Sequence, residues 1–407
     1  MQELDSSAEF IAASDGEFFA AIPTRPAVFV VEPRGELTEA KPFLLRTASL
    51  RQRLTRLLGP PDPASKRLNL RAFAGRVRYR VVGSPFELSF VHWQHARRLW
   101  PAAYRERLRM RPPAVLKVSL ANAYPRCYAT RRISANGFYF GPFESRRAAD
   151  AFASTFLDLF KIRRCQIKIR RDPSFPGCIY SEMKMCLAPC FAGCTKEEYD
   201  AETGRVVAFL ASNGASLTAE LERERETASE ALDFERAAAV HRRIEKTTEA
   251  LRGLPELARR LEELSAVVLQ RAAEENTVAV FVVRAGRIEE PRLLRFGELA
   301  SEPRSVERIL REWLDETGTA TSAPTKAPTT QQSFRELEDH LSLLVRWFYK
   351  KPRVGEIFFR ESTARSVGMS LQDEASARRN SEWPYRRILR ACSRLLAPPE
   401  PEKTVNS

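Results

Sequence analysis

No stretch of this chain approaches the roughly 18 apolar residues that a membrane-spanning helix needs, and no internal repeat is visible. Residues Met1 to Gly16 are acidic and lack both the basic n-region and the apolar h-region of a secretory signal. Export is therefore not expected, and the cytoplasm is the default location. Cysteines are few and odd in number, seven in 407 residues, which argues against a disulfide framework. A reducing cytosol would not hold them as structural disulfides in any case.

The length allows two to four domains with real cores. Lys and Arg outnumber Asp and Glu by 66 to 52, a formal net charge of +14, which favours a polyanionic partner such as nucleic acid. The same balance also arises from the arginine-rich composition of a GC-rich genome, so charge alone does not decide.

Four of the cysteines are concentrated in one basic stretch: Cys165, Cys178, Cys186 and Cys190, separated by twelve, seven and three residues. Thiolates are soft ligands, and their clustering points to zinc or an iron–sulfur cluster. The irregular spacing suits a cluster wrapped by loops better than paired zinc knuckles. Cys186, Cys190 and Cys194 fall at i, i+4 and i+8, but Pro189 argues against a continuous helix there. Arg163, Arg164, Lys168, Arg170 and Arg171 surround the quartet with positive charge, which can offset the thiolates or face DNA phosphates.

Hydrophobic periodicity predicts an α+β multidomain chain. Strands are expected at Ala27 to Val31, Phe43 to Leu45 and Arg76 to Val82, with a helix capped by Ser49 and carrying Leu50, Leu54, Leu57 and Leu58, and another from Phe86 to Arg98. Residues 20–111 then form a small α/β domain. Strands at Val115 to Ser119 and Tyr128 to Ile133 lead to an aromatic turn, residues 136–143, and a helix from Ser145 to Phe160, within a cysteine-rich domain over 112–205. An apolar stripe from Leu217 to Leu251, broken near Asp233, reads as a helical hairpin within 212–253, with Asp233 as N-cap of its second arm. The rest, 260–400, holds a β-meander from Ser265 to Phe296, helices near Phe334 to Tyr349 and Tyr385 to Leu396, a strand at Glu356 to Phe359, and a Thr/Ala/Pro/Ser-rich loop over 318–332 expected to be disordered.

The quartet with Cys186-Leu187-Ala188-Pro189-Cys190, the preceding Tyr139-Phe140-Gly141-Pro142-Phe143 and the hairpin carrying Leu232-Asp233-Phe234-Glu235-Arg236-Ala237-Ala238 together resemble the UvrC family, the excinuclease subunits of bacterial nucleotide excision repair. That resemblance implies a [4Fe–4S] cluster at the quartet, with zinc as the alternative. It implies a hairpin that binds a matching hairpin at the C-terminus of UvrB, through Leu232, Asp233, Phe234, Glu235, Ala237 and Ala238, with Phe234 as anchor. It implies DNA binding, with Arg46, Arg53, Arg163, Arg164, Lys168, Arg170 and Arg171 as the candidate contacts.

UvrC-like proteins open with a GIY-YIG nuclease module that uses two tyrosines, an arginine and a metal-binding glutamate. The resemblance places those positions at Phe29, Phe43, Arg53 and His92, so the module reads as degenerate. Phenylalanine cannot help deprotonate an attacking water, and imidazole is a poor ligand for Mg²⁺. Mg²⁺ is expected only if cutting survives, for example through Tyr79 and Glu87. Ala279 to Arg287, Phe348-Tyr349 and Gly355-Glu356-Ile357 resemble part of the family's RNase H-like region, which reads here as a truncated remnant, with Glu361, Asp373, Glu374 and Glu382 as solvated surface. The expected function is UvrB and DNA binding in excision repair without nuclease activity, as an accessory or competitor. The alternative is a single-cut endonuclease using relocated residues.

Overall fold

The computed structural model describes residues 3–35, 40–299, 305–315, 331–360 and 383–397. The N-terminal module contains β1 (Ser6–Glu9), α1 (Asp15–Ala21), β2 (Ala27–Pro33), β3 (Phe43–Thr47), α2 (Leu50–Leu58), β4 (Ala74–Val81), α3 (Pro85–Leu99) and the short α4 (Tyr104–Arg107). Its strands form an antiparallel sheet in the order β1-β4-β2-β3. β2 is apolar at consecutive positions because both faces are covered. Ala27, Phe29 and Val31 join the core beside α1 and α2, while Val28 and Val30 join the core that contains α3.

Two local expectations change here. The acidic leader supplies the edge strand β1, paired to β4 from Ser6 opposite Tyr79 to Glu9 opposite Arg76, so the module begins before residue 20. Arg76 and Arg80 hold Glu9 and Asp5 at 3.2 and 3.1 Å, which explains why an acidic segment suits this basic strand. The Ser49 side chain makes no cap; its backbone N–H donates to Thr47 Oγ1 at 3.1 Å instead.

The middle region follows as β5 (Ala114–Val118), β6 (Cys127–Thr130), β7 (Phe138–Phe143), α5 (Arg146–Leu157), α6 (Ile179–Glu182), α7 (Lys196–Ala211), α8 (Ala215–Glu230), α9 (Phe234–Arg252) and β8 (Arg259–Arg260). The sheet order is β6-β5-β7-β8, all antiparallel. The segment expected to be an aromatic turn is largely the strand β7, buried at all six positions. Phe138, Phe140 and Phe143 pack toward α5 and α7, while Tyr139 packs into the core shared with the N-terminal module. An aromatic run is a turn when exposed and a strand when both faces are covered, and periodicity alone does not separate the two.

The C-terminal region comprises β9 (Ala266–Arg271), β10 (Thr277–Arg284), β11 (Arg287–Ile288), β12 (Arg292–Arg295), α10 (Phe296–Leu299), α11 (Val306–Asp315), α12 (Gln331–Phe348), β13 (Glu356–Phe359) and α13 (Tyr385–Leu396). Its antiparallel sheet runs β11-β10-β9-β13, with β12 also on β10. One face packs on α11 and α13; the other packs on α12 and on α3 of the N-terminal module. Of the expected disordered loop, residues 318–330 lie outside the described residues, and Gln331 and Gln332 open α12. Glu361, Asp373, Glu374 and Glu382 also lie outside them.

The N-terminal module is therefore welded to the C-terminal sheet. Phe86 meets Phe281 edge to face at 4.9 Å and Trp347 at 5.2 Å, an arrangement that adds to area burial. Beside them lies buried Asp339. It accepts from Tyr104 Oη at 2.6 Å and Trp93 Nε1 at 3.3 Å and faces Arg105 Nε at 2.8 Å. A carboxylate this deep is tolerable only with such partners.

Candidate functional site

Between α5 and α7 the chain has little regular structure, and hydrogen bonds rather than a core of its own hold it. Arg163 is buried. Its Nε donates to the Tyr124 carbonyl at 2.8 Å and its Nη1 to the Ile167 carbonyl at 2.9 Å, while its backbone N–H donates to Tyr199 Oη at 2.9 Å. Expected among the DNA contacts, Arg163 is instead a brace for this loop, because its donors are spent on carbonyls. Arg171 donates to the Cys194 carbonyl at 3.1 Å and to Tyr124 Oη at 3.2 Å, and Arg164 pairs with Asp158 at 2.7 Å. Lys168 and Arg170 are exposed.

Cys178 is the N-cap residue of α6, and Cys190 lies in the 3₁₀ turn Pro189–Phe191 between left-handed Ala188 and Ala192. No helix runs through Cys186, Cys190 and Cys194, consistent with Pro189 in their midst. The left-handed Ala188 aims its N–H at Cys186 Sγ, 3.3 Å away. Burial pushes the Cys186 thiol up to about 11, helped by Cys165, Cys190 and Cys178, each close enough to oppose its ionisation. Cys190 is raised as well, by burial and then by Cys178 and Cys165. Cys165, Cys178 and Cys190 thus lie near enough to Cys186 to influence its thiol. Even so, among the described residues no three His, Cys, Asp or Glu side chains stand close enough together to hold a metal ion.

The hairpin is built from its base. Gly214, at φ +90°, starts α8 where a Cβ would lie 2.5 Å from Leu251, so the close approach of the two arms needs glycine. Leu217, Leu221 and Ala228 of α8 and Val240, Thr247 and Ala250 of α9 are buried. Arg205 of α7 holds Glu220 at 2.8 Å and Glu202 at 2.6 Å, fixing the base to the middle region. At the turn, Leu232 takes φ +56° and Asp233 Oδ1 accepts from the Arg236 N–H at 3.0 Å. Asp233 is thus committed to capping α9. Leu232 and Phe234 are 71% and 69% exposed at the tip, beside exposed Glu235 and Ala238 and half-buried Ala237. Two large apolar side chains together on a solvent-facing tip suit a partner surface better than this chain's own core.

The four positions aligned with nuclease residues do not meet. Phe29 is fully buried and Phe43 stacks edge to face on Phe73 at 5.0 Å, both on the α2 side of the sheet, where Arg53 is exposed. His92 lies on α3, across the sheet. Burial lowers its pKa to about 4, with Arg46 and then His95 adding to the effect. The candidate replacements are divided in the same way. Tyr79 sits opposite Phe29 and packs on the α2 side. Glu87 is buried at the start of α3, where its carboxylate accepts from the Gly83 N–H at 2.9 Å while Ser84 Oγ accepts from the Glu87 N–H at 3.1 Å. That reciprocal pair caps α3.

One grouping has no signature in the sequence. Arg46, His92, Arg107, Arg109 and Arg346 line a cleft of about 270 Å³ between α3, the segment after α4 and α12. Only Arg46 and His92 attracted notice from their motifs; the others come from elements that only the fold brings together.

The family model for the UvrC/Cho excinuclease middle domain matches residues 114–209, and that for the UvrB/uvrC motif matches 215–246. Among curated proteins, the UvrABC system protein C of Ruminiclostridium cellulolyticum is 32% identical over 42% of this chain and 28% of its own length. That of Dehalococcoides mccartyi is 27% identical over 66% of this chain and 44% of its own, and that of Chlamydia caviae is 30% identical over 46% and 31%. The chain therefore spans less than half the length of these relatives. No solved structure matches it, and no helix among the described residues is long and apolar enough to cross a membrane. The middle domain and the hairpin of this chain are those of the UvrC family.

Proposed function

We propose that this chain works in the cytoplasm as a UvrC-type subunit of nucleotide excision repair, docking on UvrB through its hairpin and contacting DNA, without cutting DNA itself. The observation that carries the reading is the hairpin tip, where Leu232 and Phe234 stand exposed beside small Ala237 and Ala238. A second helical hairpin could cover those side chains, completing an intermolecular four-helix bundle. Against cutting, Phe29 and Phe43 offer no hydroxyl and His92 lies across the sheet from them. Of the expected DNA contacts, Arg53, Lys168 and Arg170 are exposed and can meet phosphates.

Cys165, Cys178, Cys186 and Cys190 would hold a [4Fe–4S] cluster. The irregular spacing of twelve, seven and three residues suits a cluster wrapped by loops better than paired zinc knuckles. A multi-iron cluster spreads its cysteines over several metals, and the Ala188 N–H already points at one sulfur. When bound, the cluster would neutralise thiolate charge and cross-link a loop that has little core of its own.

Calorimetric titration of the full chain with a peptide spanning the C-terminal hairpin of UvrB tests the docking. Saturable binding that Phe234→Ala weakens is expected; no binding by the unaltered chain would refute it.

A further inference from the structure

The cleft between α3, the segment after α4 and α12 concentrates cations in a way the fold does not itself use. Arg46 lies on β3 and is steadied by Ser89 Oγ at 3.0 Å. Arg107 stacks over Trp100 at 4.4 Å, and Arg346 of α12 donates to the Arg109 carbonyl at 3.3 Å. Arg109 itself is held at φ +49°, a conformation that a residue with a Cβ adopts at a cost. Among the described residues, none of these four arginines pairs with a carboxylate. Elsewhere in the chain arginines are commonly so paired, as Arg97, Arg105 and Arg205 are.

We propose that this cleft binds a phosphate group. Two guanidinium groups on opposite walls, Arg46 from the sheet and Arg346 from α12, converge with Arg107 and Arg109 on a space of about 270 Å³. Guanidinium forks match phosphate oxygens in geometry and charge. Arg46 carries a lowered pKa, first from burial and second from Arg346, a repulsion between the two guanidinium groups that an anion would relieve. His92, kept neutral by burial, can still exchange a hydrogen bond with a phosphate oxygen without adding charge. The two walls come from the N-terminal module and the C-terminal helix, so an occupied cleft would also bridge the two regions. The phosphate could be free or part of a DNA strand. The inference deepens the DNA-contacting half of the proposed function and is independent of the hairpin and the cysteines.

The test uses the full chain, inorganic phosphate and a short fluorescein-labelled oligothymidylate. Unfolding midpoints are compared in phosphate and in chloride at matched ionic strength, and oligonucleotide affinity is read by anisotropy. The variants are Arg46→Gln with Arg346→Gln, Arg346→Gln alone, whose exposed side chain should not be needed for folding, and remote Arg390→Gln as a charge control. Phosphate should raise the midpoint of the unaltered chain and not that of the double variant. Oligonucleotide affinity should fall by about tenfold in the double variant and stay near the unaltered value in the control. A phosphate effect without oligonucleotide binding would remove the DNA reading and leave the cleft as a site for free phosphate. Oligonucleotide binding lost selectively in the cleft variants, with no effect of phosphate alone, would assign the cleft to the strand backbone. No phosphate effect together with equal oligonucleotide affinity in every variant would overturn the proposal.

Discussion

The N-terminal module and the middle region with its hairpin have dealt with aromatic side chains in opposite ways. In the module, Phe29 is wholly enclosed and Phe43 is stacked on Phe73, so the two positions at which the family resemblance would put catalytic tyrosines serve packing. In the hairpin, Phe234 is 69% exposed although buried positions lie a few turns away along the same helix. Two large apolar side chains together on an exposed tip suit a partner surface, whereas an enclosed phenylalanine has no hydroxyl to offer an attacking water. The family models match the middle domain and the hairpin, residues 114–209 and 215–246.

The contrast can be broken most severely at Phe29. Phe29→Ala should cost about 3–5 kcal/mol of stability, read from the urea midpoint with its slope. Phe29→Tyr, which restores the family's hydroxyl, should also destabilise, since its oxygen would be buried without an arranged partner. Stability of Phe29→Ala equal to that of the unaltered chain would show that the module's core is not where it has been placed.

Next in size is a pH effect at the weld between the module and the C-terminal sheet. His340 is buried, accepts from the Ile288 N–H at 2.8 Å and has its pKa lowered by burial from 6.5 to about 3. The unfolded chain therefore binds the proton first. The stability this neutral histidine contributes is full above pH 6.5 and declines as pH falls toward 3. Between pH 7.5 and 5 the loss should be about 2 kcal/mol, with His92 acting in the same direction. Chemical denaturation at the two pH values checks it, and a flat profile would mean that the weld opens to water.

On the hairpin, Phe234→Ala should weaken binding to the UvrB hairpin by about 2 kcal/mol while leaving the unfolding midpoint unchanged, the reverse of the pattern at Phe29. A lowered midpoint would place Phe234 in this chain's own core. The smallest effect belongs to Glu220→Ala, which removes a half-exposed partner of Arg205 and should cost about 0.5 kcal/mol, seen as a slight drop in midpoint.

Much of the architecture could be read from the sequence wherever one face of an element is apolar. The strand beginning at Ala27, the helix through Leu50 and Leu58, the hairpin and the strand Glu356–Phe359 all follow from period and punctuation. β7 was hidden because both its faces are covered, leaving no alternation. β1 was hidden because Ser6, Ser7 and Glu9 owe their strand to partners on β4 rather than to their own preference. α7 has a local signal in the sequence, the capping box of Thr195 with Glu198, between the cysteines and the hairpin. At the site, motif spacing drew attention to the cysteines and to Phe234. It could not show that Arg163 turns inward to brace the loop, nor that Arg46 and Arg346 line one cleft, since both depend on which distant surfaces meet.

The proposed function is docking on UvrB and DNA without cutting. It is tested most directly by incubating the purified chain with UvrB on a lesion-bearing duplex, in Mg²⁺ and in Mn²⁺, and resolving both strands on a denaturing gel. A retained protein–DNA complex with both strands intact is expected. A strand cut that depends on the added chain would contradict it and return the relocated residues, Tyr79 and Glu87, to consideration as catalysts.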